Sequence, residues 1–218
     1  MKTTQLNNVV VGASGLIGRE LIAAFTASGS GAVALSRRPL KLSHQTITEH
    51  ITDFKQQWQS WALPPADCLY CALGTTIKTA GSQEAFRAVE FDAVIASAHA
   101  AKAAGVTRMA VVSALGASQT SSVFYSRTKG EMEEALKHIG FSRLVIVRPS
   151  FLTGDRAGLG QAARPGESIA LVFANAFNFM TPKKYRAVSA AAVARCMIDQ
   201  LQADGPAVET IESGNIPS

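Results

Sequence analysis

The sequence predicts an α/β fold with a doubly wound, mostly parallel sheet. Short apolar runs alternate with longer amphipathic runs as far as Pro149, and a glycine-rich turn joins the first apolar run to the first amphipathic one. Strands and helices that alternate at these lengths form a parallel sheet with helices on both faces. The strand-like runs are continuously apolar, as expected of strands buried on both faces.

Each element is delimited by its composition. The strands are short runs, mostly apolar, bounded by glycine, proline or charged residues, and we expect them at residues 7–13, 32–36, 47–52, 67–73, 108–114, 143–147 and 208–212. The helices are runs in which apolar residues recur every three to four positions, and we expect them at residues 16–28, 54–61, 82–104, 122–139, 168–179 and 189–203. Gly105 and Gly140 follow two of these helices, where a glycine commonly ends the last turn.

The pattern loosens after Pro149. Residues 152–167 carry four glycines and are expected to form a loop. We therefore expect one domain over residues 1–218, in which residues 149–218 form a small region that caps the substrate site.

Composition excludes several classes of protein. Of the 218 residues, 47% are hydrophobic and 17% are charged, which is typical of a globular chain rather than a disordered one. The net charge of +5 is modest and no run of five Lys or Arg occurs, so we expect no nucleic-acid partner. No stretch of 18 apolar residues lacks a charge, so no membrane partner is expected either.

The cellular setting is also predicted from composition. The first residues lack the apolar core of a signal peptide, and three cysteines make no disulfide framework. Cys68 and Cys71 lie within one predicted strand and point to opposite faces, which favours core packing over a redox or zinc site. The four histidines have no metal-ligand spacing, so no metal site is predicted. We expect a reduced, cytoplasmic location.

The glycine-rich turn is the sharpest motif. Gly12, Gly15 and Gly18 lie between the first strand and the first helix in a G-x-x-G-x-x-G spacing. In a dinucleotide-binding turn the first glycine permits the tight turn, the second lets the backbone approach a pyrophosphate, and the third lets the helix pack closely on the strand. The amide groups that begin the helix face the phosphates. The predicted cofactor contacts therefore also include Ser14, Leu16 and Ile17.

The end of the second strand predicts the choice of cofactor. An acidic residue at this point would hold the ribose hydroxyls of NAD, but the sequence reads Ser36-Arg37-Arg38. Two guanidinium groups can bind a 2′-phosphate through charge-assisted hydrogen bonds, and Ser36 can add a hydroxyl. We therefore expect NADP(H), with NAD(H) as the less favoured alternative. Asp53, after the third strand, is either an adenine contact or the N-cap of the helix that follows it.

A second motif predicts proton transfer. Tyr125 and Lys129 are four residues apart on a predicted helix and share a face. A nearby ammonium favours the phenolate, so we expect Lys129 to lower the pKa of Tyr125 and make it a general acid/base. Ser113 closes the preceding strand at the carboxyl edge of the sheet, where it can hydrogen-bond a substrate carbonyl.

The glycine turn, Ser113, Tyr125 and Lys129 together resemble the short-chain dehydrogenase/reductase superfamily. Residues 71–76, Gly130, Glu131 and Arg148 narrow the resemblance to an atypical branch that includes the Tat-interacting-protein oxidoreductases. The resemblance implies a Rossmann-like fold. It also implies that the tyrosine is the general acid/base, that the lysine lowers its pKa and bonds the nicotinamide ribose, and that the serine orients the carbonyl.

The same resemblance assigns two further cofactor segments. Residues after the fourth strand usually border the adenosine and ribose, and here they are Ala72, Leu73, Gly74 and Thr75. Residues after the sixth strand usually border the nicotinamide, and here they include Pro149 and Leu152.

The sequence departs from the superfamily at two points. Cys71-Ala72-Leu73-Gly74 replaces its common Asn-Asn-Ala-Gly, and no catalytic asparagine is evident; Asp92, Ser97 and His99 are the polar candidates for its place.

The predicted function is an NADP(H)-dependent oxidoreductase acting on a small carbonyl or alcohol. The alternatives are a non-catalytic NADP(H)-binding regulator with a protein partner, and a nucleotide-sugar epimerase or dehydratase, which the short C-terminal region disfavours. A homodimer is also compatible with the sequence.

Overall fold

A twisted parallel sheet forms the centre of the molecule. The computed structural model describes residues 7–40, 45–54, 63–154 and 182–217. The strands in these residues are β1 (Asn8–Val11), β2 (Ala32–Ser36), β3 (Ile47–Ile51), β4 (Cys68–Cys71), β5 (Arg108–Val112), β6 (Arg143–Arg148), β7 (Leu152–Thr153), β8 (Val188–Ser189) and β9 (Val208–Glu212). Seven of them pair in the order β3-β2-β1-β4-β5-β6-β9, all parallel. The two-residue strands β7 and β8 pair separately.

The helices lie on both faces of the sheet. They are α1 (Leu16–Ser28), α2 (Ile77–Ala80), α3 (Gln83–Arg87), α4 (Ala93–Ala103), α5 (Phe124–Lys137) and α6 (Ala190–Gln202). One apolar core joins the sheet to α1 and α6, and a second joins the opposite face to α4 and α5. In the described part of the chain no helix has the length and apolar content of a membrane span.

The predicted α/β fold, with its doubly wound parallel sheet, is confirmed. The topological switch lies between β1 and β4, whose carboxyl ends therefore border a crevice suited to a ligand. The predicted elements at residues 16–28, 32–36 and 208–212 coincide with α1, β2 and β9.

The predicted helix at residues 82–104 is wrong in one respect. Ser82 caps its start, but a π-helical turn, Ala88–Asp92, separates α3 from α4. The short helix α2, which precedes it, was not expected. The predicted helix 168–179 lies outside the described residues, as do most of the helix expected at 54–61 and most of the loop expected at 152–167.

The C-terminal region contributes to the body of the fold. β9 pairs with β6 and α6 packs against α1, so these parts of residues 149–218 extend the sheet and its core. Arg143, 4% exposed, ties them together because its guanidinium donates to Gln200 O, Pro206 O and the Glu209 carboxylate.

Candidate cofactor and active site

The glycine-rich turn is built from close backbone approaches. Gly12 has a φ of +80°, and a Cβ there would lie 2.8 Å from the Ala72 carbonyl carbon. A Cβ on Gly18 would lie 2.2 Å from Gly12 O. Gly15 precedes α1 and donates its amide to Gly12 O at 2.9 Å. Two of the three glycines are therefore required by crowding between the turn, α1 and the chain after β4.

A cleft of about 800 Å³ opens beside this turn. Its volume lies within the range of small-molecule sites. It is bordered by the turn, the end of β2, the segment after β4, and the α3–α4 region. The predicted cofactor residues that line it are Gly12, Ser14, Gly15, Arg37, Arg38, Asp53, Ala72, Leu73, Gly74 and Thr75.

The remaining predicted cofactor residues are not among those that line this cleft; they are Leu16, Ile17, Gly18, Ser36, Pro149 and Leu152. Ile17 and Gly18 are buried in α1 beneath the turn. Pro149 is also buried, and its carbonyl accepts the Leu115 amide. These residues support the cleft from behind or lie farther along the sheet edge.

Ser36 does not present its hydroxyl to the cleft. Its side chain is fully buried, and its Oγ donates to Arg38 O at 2.7 Å. Glu49 Oε1 accepts the Leu40 amide at 2.5 Å on the same side of this loop. Ser36 and Glu49 therefore shape the loop that carries Arg37 and Arg38, both of which are exposed.

The predicted proton-transfer pair lies against the π-helical turn. The Tyr125 ring packs on Phe86 with centroids 5.5 Å apart, and Lys129 is 3% exposed. Lys129 Nζ lies 2.5 Å from Glu90 Oε2 and donates to Val112 O at 3.1 Å. Asp92 and His99 are exposed, and Ser97 donates to Ala93 O, so Glu90 stands beside the lysine in place of the polar residues expected on this helix.

The expected lowering of the tyrosine pKa is not found. Burial raises the pKa of Tyr125, and this outweighs the opposing attraction of Lys129, while the Glu90 carboxylate raises it further. Burial also disfavours the charged form of Lys129, but Glu90 more than compensates, so the pKa of Lys129 lies above its ordinary value. At neutral pH the arrangement therefore holds a protonated tyrosine beside a buried ammonium.

Ser113 belongs to a buried polar network. It is 4% exposed, and its hydroxyl donates to Glu133, which is 1% exposed. The Arg148 guanidinium pairs with Glu133, and its Nη1 donates to Glu212 Oε1 at 2.8 Å. Hydrogen bonds to these carboxylates raise the pKa of Arg148. Tyr125, Lys129 and Glu133 follow one another at four-residue spacing on α5, so the Ser113 network adjoins the lysine.

Sequence reasoning missed Glu90 and Glu133. Each is a carboxylate at helical spacing from buried positions: Glu90 is four residues from both Phe86 and Val94, and Glu133 follows Lys129 by one turn. A charged residue on the apolar face of a helix needs a partner, and this signal could have singled out both residues.

This chain is similar to known proteins over most of its length. A family model described as NAD(P)H-binding matches residues 12–204. The protein HTATIP2 of Rattus norvegicus is 32% identical over 202 residues, with 90% of this chain and 81% of that protein covered. The mitochondrial protein FMP52 of Eremothecium gossypii is 35% identical over 153 residues, with 69% of this chain and 68% of that protein covered.

Solved structures share the fold at low sequence identity. UDP-glucose 4-epimerase of Thermotoga maritima, solved with UDP-glucose, aligns with a TM-score of 0.71 at 14% identity over 96% of this chain and 77% of its own. WbmG of Bordetella bronchiseptica, solved with NAD, aligns with a TM-score of 0.70 at 15% identity over 98% of this chain and 74% of its own. These likenesses concern the fold alone.

One sequence prediction is contradicted by the comparisons. Relatives from Eremothecium gossypii, Aspergillus niger and Aspergillus clavatus are named as mitochondrial proteins. The cytoplasmic location expected from composition is therefore wrong as an inference for this family.

Proposed function

Because this chain belongs to the NAD(P)H-binding family, an oxidoreductase-like family with a Rossmann-type fold, we propose that it is an NADP(H)-dependent oxidoreductase of small carbonyl or alcohol substrates. One observation supports the cofactor choice above all. Arg37 and Arg38 line the same cleft as the glycine turn. A cleft with a phosphate-binding turn at one side and two guanidinium groups at another suits a dinucleotide that carries an additional phosphate.

The residues present fit such a cofactor. Gly12 and Gly15 leave backbone exposed where side chains would intrude, and the amides at the start of α1 face the same space. Arg37 and Arg38 would hold the 2′-phosphate, and Ala72 to Thr75 would border the adenosine and its ribose. Asp53 also lines the cleft, which supports its proposed contact with the adenine amino group.

The chemistry divides between cofactor and protein. When bound, the reduced nicotinamide supplies a hydride to the carbonyl carbon of the substrate. Tyr125 gives its phenolic proton to the carbonyl oxygen, which completes the alcohol. The protonated state of Tyr125 at neutral pH suits this direction of the reaction. Lys129 holds a positive charge beside the developing phenolate.

Ser113 can contact the substrate only if its hydroxyl group changes orientation. Its hydroxyl proton is directed to Glu133, so donation to a substrate carbonyl requires the hydroxyl to turn away from that carboxylate. We propose that Ser113 orients the carbonyl after such a rotation.

Binding measurements test the cofactor assignment. Isothermal titration of the full chain with NADPH and with NADH should show tighter binding of NADPH. Arg37→Ala combined with Arg38→Ala should weaken NADPH binding by at least about 100-fold, since two charge-assisted hydrogen bonds are lost and each contributes about 1.5–3 kcal/mol. The same change should leave NADH binding nearly unchanged. Arg195→Ala removes an exposed charge on α6 outside the cleft and serves as the control. Equal losses for the two dinucleotides would refute a 2′-phosphate contact.

Turnover tests the catalytic assignment. We expect NADPH oxidation with at least one member of a panel of aldehydes, ketones and quinones. Tyr125→Phe should abolish it while leaving the NADPH dissociation constant nearly unchanged. Activity that survives this substitution would remove Tyr125 from the mechanism.

One observation favours a second function, that of a non-catalytic regulator that binds NADP(H) and reports it to a protein partner. The Ser113 hydroxyl is committed to Glu133 within a buried network rather than directed to the cleft. Tight NADPH binding with no turnover across the panel would favour this second function.

A further inference from the structure

Glu90 is a deeply buried carboxylate beside the candidate active site. It lies in the π-helical turn between α3 and α4 and is 1% exposed. A π-helical turn displaces the residues that follow it around the helix axis, and such turns are frequent at functional sites. Glu90 lies on the face that meets α5 and the chain after β4, where it contacts Lys129 and the Thr75 amide.

Its two oxygens bind different parts of the site. Oε2 lies 2.5 Å from Lys129 Nζ, and Oε1 accepts the Thr75 amide at 2.5 Å. Thr75 lines the cofactor cleft. A single carboxylate therefore joins the rim of the cleft to the buried lysine.

Lys129 is held by Glu90 and by the end of β5. An ammonium has three N–H donors. One of them goes to Val112 O, and the charge is paired with Glu90 Oε2 at 2.5 Å. A buried lysine without a counter-ion tends to lose its proton.

Stability alone does not account for this pair. Replacing a buried ion pair by apolar residues of similar size is often neutral or stabilising, because both charges are removed from water. The hydrogen bond from Thr75, which lines the cleft, to Glu90 points to another use for this pair.

We propose that Glu90 is a positioning residue, which keeps Lys129 charged and aimed at the proton-transfer site and ties it to the Thr75 amide at the rim of the cofactor cleft. This inference deepens the proposed oxidoreductase function and rests on it for its catalytic meaning.

The titratable groups that act on Lys129 come from three elements. Glu90 comes from the π-helical turn, Tyr125 from α5 itself, and the thiol of Cys71 from the end of β4. Burial raises the pKa of the Cys71 thiol to about 11, so it stays neutral at physiological pH. Glu90 is therefore the group among these that forms an ion pair with Lys129.

The decisive experiment observes Lys129 directly. The full chain is labelled with ¹³C at the lysine ε-carbons, and the Lys129 signal is assigned by its loss in Lys129→Met. In the unsubstituted protein this signal should titrate above the ordinary lysine value of about 10.4. In Glu90→Gln it should titrate below that value. Identical titration of Lys129 in the two proteins would overturn the proposal.

Two further variants guard against a folding failure. Glu90→Asp keeps the charge on a shorter side chain, so its Lys129 signal should titrate between those of the other two proteins. The pair Glu90→Gln with Lys129→Met contains no buried charge at this place and should fold more stably than Glu90→Gln alone. A double variant less stable than Glu90→Gln would refute the coupling.

Turnover then separates the two proposals. If the chain is a reductase, Glu90→Gln should lower kcat by about 100-fold, which is the cost of misplacing a catalytic group by about 1 Å. As the pH rises, the activity of Glu90→Gln should also be lost at a lower pH than the activity of the unsubstituted protein. Glu134→Gln, a change at a partly exposed side chain on α5, should leave both the kcat and its pH dependence unchanged. A shifted lysine titration in a protein without any turnover would support the role of Glu90 and refute the oxidoreductase function.

Discussion

Arg148 donates hydrogen bonds to both oxygens of the Glu133 carboxylate. Its Nε donates to Oε1 at 2.9 Å and its Nη2 to Oε2 at 2.5 Å. Glu133 also accepts the Ser113 hydroxyl, so one buried carboxylate joins the ends of β5 and β6 to α5. The pairing fixes the helix that carries Tyr125 and Lys129 against the carboxyl edge of the sheet.

Removing the Glu133 charge should destabilise the fold. Glu133→Gln should lower the free energy of unfolding by about 3 kcal/mol, because loss of one partner leaves the other's charge poorly compensated. Glu212→Gln removes the charge of the second carboxylate that pairs with Arg148. Because the Glu212 side chain is 43% exposed, this change should lower the free energy of unfolding by less than about 1 kcal/mol. Urea unfolding measures both. Equal losses of stability in the two variants would show that burial of Glu133 does not increase the cost of removing its charge.

Gly130 should be intolerant of any side chain. A Cβ there would lie 2.2 Å from both the Gln119 amide nitrogen and the Ser118 carbonyl carbon, so Gly130→Ala must move α5 or the preceding loop. A displacement of about 1 Å in a catalytic group costs about 100-fold in rate, and we expect kcat to fall by that amount. NADPH affinity, measured by titration, should change much less, since Gly130 is not among the residues that line the cleft. A normal kcat would show that the site tolerates movement of α5.

Gly18 and Gly31 form a matched pair of glycines. A Cβ on Gly18 would meet Gly12 O at 2.2 Å, whereas one on Gly31 would lie 3.7 Å from Thr46 O, an ordinary contact. Gly18→Ala should therefore cost about 1–3 kcal/mol by overpacking and weaken dinucleotide binding, because the turn must shift. Gly31→Ala should change stability by no more than about 0.5 kcal/mol. Thermal melting with and without NADPH measures both effects, and similar behaviour of the two variants would contradict the crowding argument.

Tyr125 should make the fold sensitive to alkali. Its pKa in the folded state lies above the unfolded value of about 10, mainly through burial. The resulting stability is fully present below about pH 10 and is lost as the pH rises through the folded value. Tyr125→Phe keeps a ring that packs on Phe86 but cannot ionise, so its stability should fall less between about pH 8 and about pH 11. Urea midpoints across this range give the comparison, and parallel curves would refute the shift.

The order of elements was predictable because local patterns determine it. The apolar spacing of α1 and the breaks around β2 are visible in the sequence itself, and both elements have the expected bounds. The cleft was predictable for a related reason. Parallel strands bring their carboxyl ends to one edge, so Gly12, Arg37 and Ala72 meet there whatever the details of packing.

The environment of Tyr125 was not predictable in the same way. The expectation of a lowered pKa considered Lys129, which is four residues away. Burial of Tyr125 raises its pKa by more than Lys129 lowers it, and Glu90, brought in by packing between elements distant in the chain, raises it further. The π-helical turn that places Glu90 has no residue pattern that sets it apart from an uninterrupted helix. Ser36 and Ser113 differ from expectation for a similar reason, because the partners of their hydroxyls are Arg38 O and Glu133.

The strand β9 has a protective consequence for the molecule. It covers β6, whose residues Leu144 to Val147 are at most 1% exposed, and it presents Glu209 and Glu212 along its own length. Charged residues on an outermost strand hinder pairing with another chain, whereas an uncovered apolar strand invites it. A chain cut before Val208 would leave the backbone of β6 unpaired on that side, and such a fragment would be prone to self-association.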